Sequence, residues 1–377
     1  MPSSGSRTKA MSLGRLKKSE ERRVKSEESK LLSDCSQVDK CNLDSSLFVL
    51  HSSLINQEAL SLGFSHVGLA PAEPVPDEFM ARYERWLREG CQGDMHYLEN
   101  HLALRRDPRL LLPGAKTVVS LAMSYNPGDQ PTQPGLALYA QGRDYHEVVR
   151  ERLAMLVENL KSEELRVNSL AYRICVDTAP VMEKYWAWRC GLGWIGRHTQ
   201  LIIPGEGSAF FLAEILLTAE ADHYDRPLTS HIPAQESSVE DGENLFPLGR
   251  GWRGASCGHC RRCLDACPTG ALSDDGLDAR RCLSYLTIEH RGPLPEGVGR
   301  HLSECFYGCD RCLRACPHFR PSASPVQDFR PSPPLLAMTP ADWKRLTPDQ
   351  YRELFRGSAV KRAKYEGLMR NIGESHS

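Results

Sequence analysis

The sequence predicts a mixed α/β (α+β) domain, then a compact ferredoxin-like cysteine domain and a short helical C-terminal segment. Three observations predict it. Apolar, β-branched runs alternate with amphipathic helical stretches from about residue 60 to 220. CGHCRRCLDACPTGAL occupies 257–272, and CDRCLRACP follows at 309–317. FRPSASPVQDFRPSPPL then separates these runs from a charged helical stretch over 340–370. The implied boundaries are a disordered extension over 1–52, an α/β domain over 53–245, the cysteine domain over 246–325, and a proline-rich linker with a helical tail over 326–377.

The elements follow in order. Residues 1–52 are rich in Ser, Lys and Glu and lack periodicity, so they cannot bury enough apolar surface to order themselves. GFSHVGLAPAE predicts a strand and turn, and FMARYERWLREG a helix closed by Gly90. KTVVSLAMSY is a continuous apolar run and reads as a buried strand. HEVVRERLAMLVENLKSEE is a long amphipathic helix, LAYRICVD a second buried strand, and DTAPVMEKYWAWRCG a helix with proline in its first turn. Residues 221–255 mix Pro, Ser, Gly and charge, as a connecting loop does.

Composition narrows the function classes. The 377 residues are 41% hydrophobic and 25% charged with a net charge of −1, so total charge gives no argument for nucleic acid and any basic patch must be local. LIIPGEGSAFFLAEILL, the most apolar stretch, is interrupted by Pro204, Glu206 and Glu214, which argues against a membrane span. The first 30 residues hold nine Lys/Arg and four Glu without the apolar core of a signal peptide.

Eight of the 14 cysteines fall at clustered metal-ligand spacings, which suits a reducing compartment better than a disulfide scaffold. Ferredoxin-type carriers use C-x2-C-x2-C-x3-C-P to hold 4Fe–4S clusters, and the fourth cysteine ligates the other cluster. Cys257, Cys260 and Cys263 are thus expected on one cluster, with Cys267 crossing to a second. The run Cys309, Cys312, Cys316 supplies the reciprocal crossing, Cys316 completing the first cluster. The second set is then one thiol short, because Phe306 stands where it would fall. Cys282 and Cys305 are the candidates, and Cys305 is one residue out of register. A zinc ribbon on Cys257/Cys260 and Cys309/Cys312 is the simpler alternative, but it leaves four cysteines and both CP endings without purpose.

Three other stretches invite chemical readings. GLGWIG at 191–196 matches G-x-G-x-x-G, but a helix precedes it and a strand follows, the reverse of a dinucleotide site. DYHEVV begins like a cobalt-ligand signature around His146, yet Val149 replaces its glycine, and Asp144 as a helix N-cap explains the same residues. Asp177 ends a strand and precedes TAPVME, so it reads either as a cap or as an acid at the strand end.

With these residues in place, the chain resembles the epoxyqueuosine reductase family from about 57 to 371. The resemblance is carried by RRDPRLLLPGAK, YAQGRDYH, VDTAPVMEKYWAWRCGLGWIGRHT, GSAFFLAEILL, LDARRCLSYLTIEHRG, FYGCDRCLRACP and FRGSAVKRAKYEGLMRN, beside the cysteine run. It implies a cobalamin-binding first domain, two 4Fe–4S clusters, and reductive removal of the epoxide oxygen of epoxyqueuosine at the wobble position of tRNA. It further implies that Cys282 completes the second cluster and that Asp177 is the proton donor, its pKa raised by burial. Cobalamin contacts are expected from Arg105, from Ala140 and Asp144 of YAQGRDYH, from His198 and Leu201 of GRHTQL, and from Ser208 and Leu212. The expected partners are tRNA and an external flavodoxin- or ferredoxin-type electron donor, for a monomeric cytoplasmic enzyme. Arg311, Arg314, Arg320 and AVKRAKYEGLMR are candidate phosphate contacts. Relatives often continue into a helical-repeat tail, whereas this chain stops soon after LMRNIG. Competing readings are a reductive dehalogenase, disfavoured because Arg22-Arg23 has no apolar run behind it, and a plain electron carrier, which leaves Asp177 idle.

Overall fold

The computed structural model describes residues 49–163, 170–228, 257–322 and 325–375. Most of the N-terminal extension and of the 221–255 loop therefore lies outside the described residues. The first described element is β1 (Val49–Leu50), inside the stretch read as a disordered extension; it pairs in parallel with β8 (Glu220–Ala221), and α1 (Ser52–Ser61) follows it directly.

A four-stranded sheet forms the centre of the first domain. Its strands are β2 (His66–Pro71), β3 (Thr117–Ser124), β4 (Tyr172–Cys175) and β7 (Phe210–Leu217), in the order β2-β3-β7-β4. Every neighbouring pair is antiparallel. The alternation of strand and helix thus yields an α+β arrangement rather than a parallel sheet, so the ligand rule for parallel strand ends does not transfer to Asp177.

Helices cover both faces, which is why 117–124 is buried at every position and reads as an unbroken apolar run. One face meets α1 and α4 (Tyr145–Glu163), the latter through Val148, Val149, Leu153, Leu156, Val157 and Leu160, the stripe its periodicity predicts. The other meets α2 (Asp77–Arg88) and α5 (Glu183–Arg189) through Phe79, Met80, Tyr185 and Trp186. Gly68 lets the end of α5 approach the sheet, since a Cβ there would lie 2.0 Å from the Cys190 carbonyl oxygen. β4 is an edge strand and only half-buried, unlike the buried strand its apolar content predicts.

The helix predicted from DTAPVME onward begins only at Glu183, so Pro180 precedes it. Asp177 does not cap that helix. GLGWIG turns from α5 into a hairpin of β5 (Trp194–Ile195) and β6 (Leu201–Ile202), the inverted context the sequence indicates.

The cysteine domain is built from short pieces: α6 (Arg262–Asp265), the hairpin of β9 (Leu272–Ser273) and β10 (Gly276–Leu277), α7 (Leu283–Ile288) and α8 (Arg311–Arg314). The stretch read as a linker is packed: Phe329 enters the first domain's core and Asp328 accepts hydrogen bonds from Arg143 and Arg152. Beyond it lie α9 (Pro333–Leu336), α10 (Pro340–Lys344), α11 (Pro348–Leu354) and α12 (Lys364–Glu374). Thr339 and Thr347 close capping boxes at α10 and α11. This segment shares a core with both domains through Leu136, Ala140, Ile288, Phe306 and Tyr307. No helix among the described residues is long and apolar enough to cross a membrane.

Candidate active site

Cys257, Cys260, Cys263 and Cys316 line one open hollow of about 390 Å³, together with Arg197, His198, Ile202, Pro317 and His318. The helical turn of α6 presents Cys263, and the chain after α8 returns Cys316 to it. Burial, then the Cys257 and Cys316 thiols, push Cys263 up to about 11. Arg197 is buried and donates to Asp274 at 2.7 Å and to the Gly258 carbonyl at 3.0 Å. Among the described residues its buried Nε–H has no partner, nor has the Trp194 indole N–H on the adjoining hairpin. Four thiols with an unpaired donor beside them fit an anionic iron–sulfur cluster, whose sulfurs accept such bonds. Among the described residues no group of three or more His, Cys, Asp or Glu is arranged to hold a single metal ion.

The remaining sulfurs gather next to this hollow. Burial raises the Cys312 thiol, and Cys282, Cys309, Cys267 and then Cys263 add to the shift, so Cys312 sits among its predicted partners and beside the first set. Cys282 is likewise raised by burial, with Cys309 and Cys267 as its sulfur neighbours. Cys305 also adjoins Cys309 and donates to the His301 carbonyl at 3.0 Å. Phe306, at the vacant register position, is a core residue packed on Trp343.

Asp177 adopts a left-handed backbone, φ +52°. The Glu183 carboxyl oxygen Oε1 accepts its N–H at 2.7 Å. Its half-exposed carboxylate faces His146, whose Nε2 lies 3.0 Å from Asp177 Oδ2 while Nδ1 lies 2.7 Å from Asp144 Oδ1. Asp144 also accepts the His146 backbone N–H at 3.0 Å, the N-cap bond expected of it at the start of α4. Both imidazole nitrogens are engaged, which leaves His146 none for a metal. The His146 ring stacks on Tyr145 at 4.0 Å, and Tyr145 stacks on Phe211 at 4.2 Å, so the imidazole is fixed from the side.

The electrostatics reverse one expectation. Burial opposes the His146 charge, but the hydrogen bonds and charges of Asp144 and Asp177 outweigh it and hold the imidazole at about 9. Burial pushes Asp177 up, yet the His146 imidazolium and the Tyr145 hydroxyl bring it below the usual carboxylate value. The proton thus rests on His146, not on Asp177. Glu183 behaves oppositely: burial, then the Asp177 charge, raise it to about 8, so it stays protonated at neutral pH.

Of the expected corrin contacts, Arg105 and His198 bear on this region through Glu183 and Lys184. Arg105 in α3 (Leu102–Arg106) lies 5.9 Å from the Tyr83 ring and within electrostatic reach of Glu183. His198 is buried and kept neutral, its pKa brought down to about 4 by burial and by Lys184, with Ser208 Oγ 3.4 Å from Nε2. Lys184 also senses Glu183, Cys312 and Asp177, which joins the acid to the thiols through one polar region. Ala140 lies in a 3-10 turn (Leu138–Ala140) whose Leu138 packs with Ala209 against Leu313, next to Cys312. Leu201 and Leu212 belong to the apolar cluster around α5, Leu212 at its half-buried margin. Sequence reasoning missed Glu183, Lys184 and Arg197 as site residues; the first was read only as part of a helix cap.

A family model described as epoxyqueuosine reductase QueG, DUF1730, matches residues 105–178, and one described as a 4Fe-4S double cluster binding domain matches 256–318. An epoxyqueuosine reductase of Cellulophaga algicola is 38% identical over 328 residues, 85% of this chain and 97% of its own. One of Escherichia coli is 34% identical over 328 residues, 84% of this chain and 78% of its own. Among solved structures, an epoxyqueuosine reductase with an epoxyqueuosine-modified tRNA-Tyr stem loop is similar with a TM-score of 0.71 and 26% identity, covering 86% of this chain and 80% of that one. The enzyme from Streptococcus thermophilus gives 0.70 and 27%, over 85% and 79%.

Proposed function

This chain belongs to the epoxyqueuosine reductase family, and on that premise we propose that it removes the epoxide oxygen of epoxyqueuosine at the wobble position of tRNA. The balance is epoxide plus two electrons and two protons, giving the alkene and water. The observation that carries the reading is the hollow shared by Cys257, Cys260, Cys263 and Cys316, with Cys282, Cys309 and Cys267 acting on Cys312 beside it.

In this reading Cys257, Cys260, Cys263 and Cys316 hold one 4Fe–4S cluster, and Cys267, Cys282, Cys309 and Cys312 hold the other. Cobalamin would be held by Arg105, Ala140, Asp144, His198, Leu201, Ser208 and Leu212. When bound it supplies the low-potential cobalt chemistry that opens the ring. The chain's own residues do the rest. Asp177 passes to the departing oxygen the proton that His146 holds behind it, and Asp144 fixes the imidazole for that transfer. Glu183 holds the Asp177 backbone in place and keeps a proton of its own. Neutral His198 adds no positive charge beside the thiols. A flavodoxin- or ferredoxin-type donor supplies electrons to a monomeric cytoplasmic enzyme, and Arg311, Arg314, Arg320, Lys361 and Arg362 meet tRNA phosphates.

The test is nucleoside analysis of tRNA from cells lacking this protein. Epoxyqueuosine should accumulate, and return of the protein should convert it to queuosine; normal queuosine without the protein would refute the reading.

A further inference from the structure

We propose that Tyr97, backed by Arg362, is a stacking shelf for a nucleobase of the tRNA anticodon loop adjoining the modified nucleotide. This rests on the tRNA reading given above and adds a contact to it.

The 3-10 turn His96–Glu99 that carries Tyr97 is tied down on several sides. Asp94 Oδ2 accepts the Tyr285 hydroxyl at 2.7 Å and lies 3.0 Å from His290 Nδ1, while the Asp94 N–H donates to the Tyr285 oxygen at 2.7 Å. Gly93, φ +60°, permits that approach, since a Cβ there would fall 2.5 Å from Tyr285. Glu99 Oε1 receives Gln92 Nε2 at 2.8 Å and His96 Nδ1 at 2.8 Å, and the Leu98 carbonyl accepts the Tyr83 hydroxyl at 2.7 Å. A turn held this firmly could have turned its aromatic residue inward, yet Tyr97 is 48% exposed.

Its neighbour is a cation with a fixed orientation. The Arg362 guanidinium lies 5.6 Å from the Tyr97 ring centroid. Glu289 grips it with both oxygens, at 2.8 and 2.9 Å. The Arg362 carbonyl accepts a hydrogen bond from Arg291 at 2.7 Å, so the backbone is held too. The pair lies within electrostatic reach of the acid: Tyr97 is raised by burial first and Arg362 by Glu289, the Asp177 charge adds to both, and Arg362 is among the charges that lower Asp177. Lys361, on the same turn, bears on Asp144.

An exposed tyrosine alone is ordinary on a protein surface. Here a rigid support, an oriented guanidinium and the adjoining acid coincide. Single-stranded RNA loops are recognised by bases stacked on aromatic rings and guanidinium planes. A reaction at one base requires the loop to be opened there, and a neighbouring base stacked on a rigid ring would hold it open.

The experiment uses the full chain with its clusters and cobalamin, and an anticodon stem–loop bearing 2-aminopurine next to the modified position. Wild-type protein should quench the probe on binding. Tyr97→Leu should lose the quench and bind about tenfold more weakly at every salt concentration, with an unchanged slope of log Kd on log salt. Tyr97→Phe should keep both quench and affinity. Equal iron content and melting of the variants establish that the fold is intact. If wild type binds and Tyr97→Leu binds and quenches equally well, the shelf is wrong while the substrate reading stands. If wild type does not bind the stem–loop, the substrate reading falls and the shelf with it.

Discussion

Asp177 holds a left-handed backbone that a residue with a side chain adopts only when its surroundings enforce it. The enforcing contact is the Glu183 carboxyl on its N–H. Glu183→Gln keeps an acceptor oxygen and should retain most single-turnover activity, whereas Glu183→Ala should lower it about tenfold or more; equal activity of both would remove Glu183 from the positioning role. A pH effect follows from His146. Its pKa of about 9 exceeds the unperturbed imidazole value of about 6.5, so the stability and the stored proton of the His146–Asp177 pair are fully present below about pH 6.5 and are lost as pH rises through about 9. Single-turnover reduction measured against pH should therefore fall on an alkaline limb near 9. In His146→Gln that limb should move towards acid, because Asp177 must then supply its own proton; an unshifted profile would exclude His146 from the proton path. None of this was legible from residue order. Sequence marks an Asp before a helix equally well as cap or catalyst, and only the late start of α5 shows that Asp177 does not cap it.

The elements differ in how openly the sequence declares them. β3 and α4 were readable, because burial on both faces and a helical stripe leave strong apolar patterns. The proline-rich stretch was not, since its ordering comes from Asp328 and Phe329 meeting residues more than a hundred positions away. The C-terminal helix α12 owes its place to a similar long-range device. Buried Asn371 donates to the carbonyls of Thr287 and Phe306, both at 2.9 Å, and Arg370 donates to those of Leu286, His290 and Gly292. Asn371→Leu would leave two buried carbonyls unpaired and should cost about 2 kcal/mol or more of stability, read by denaturant unfolding of the holoprotein. A midpoint unchanged from wild type would show that α12 is held by its apolar face alone.

For the molecule as a whole, the cysteine spacing carried most of the functional information, because cluster ligands are side chains at fixed intervals. The first set could be written down from crossing logic; the eighth ligand could not, since Cys282 and Cys305 both reach the neighbourhood of Cys309. Iron analysis after anaerobic reconstitution separates them. Wild type and Cys305→Ala should each carry about eight irons, and Cys282→Ala about four; the reverse result would exchange the two cysteines. The proposed corrin contacts were less legible, as backbone and small residues such as Ala140 and Ser208 leave little trace in sequence. The Asp144 N–H donates to the Gly357 carbonyl at 2.6 Å, across more than two hundred residues of chain. The tail is thus a keystone: a protein clipped just before it would retain every sulfur ligand and every acid, yet the imidazole behind Asp177 would lose its anchor and the enzyme would fall silent.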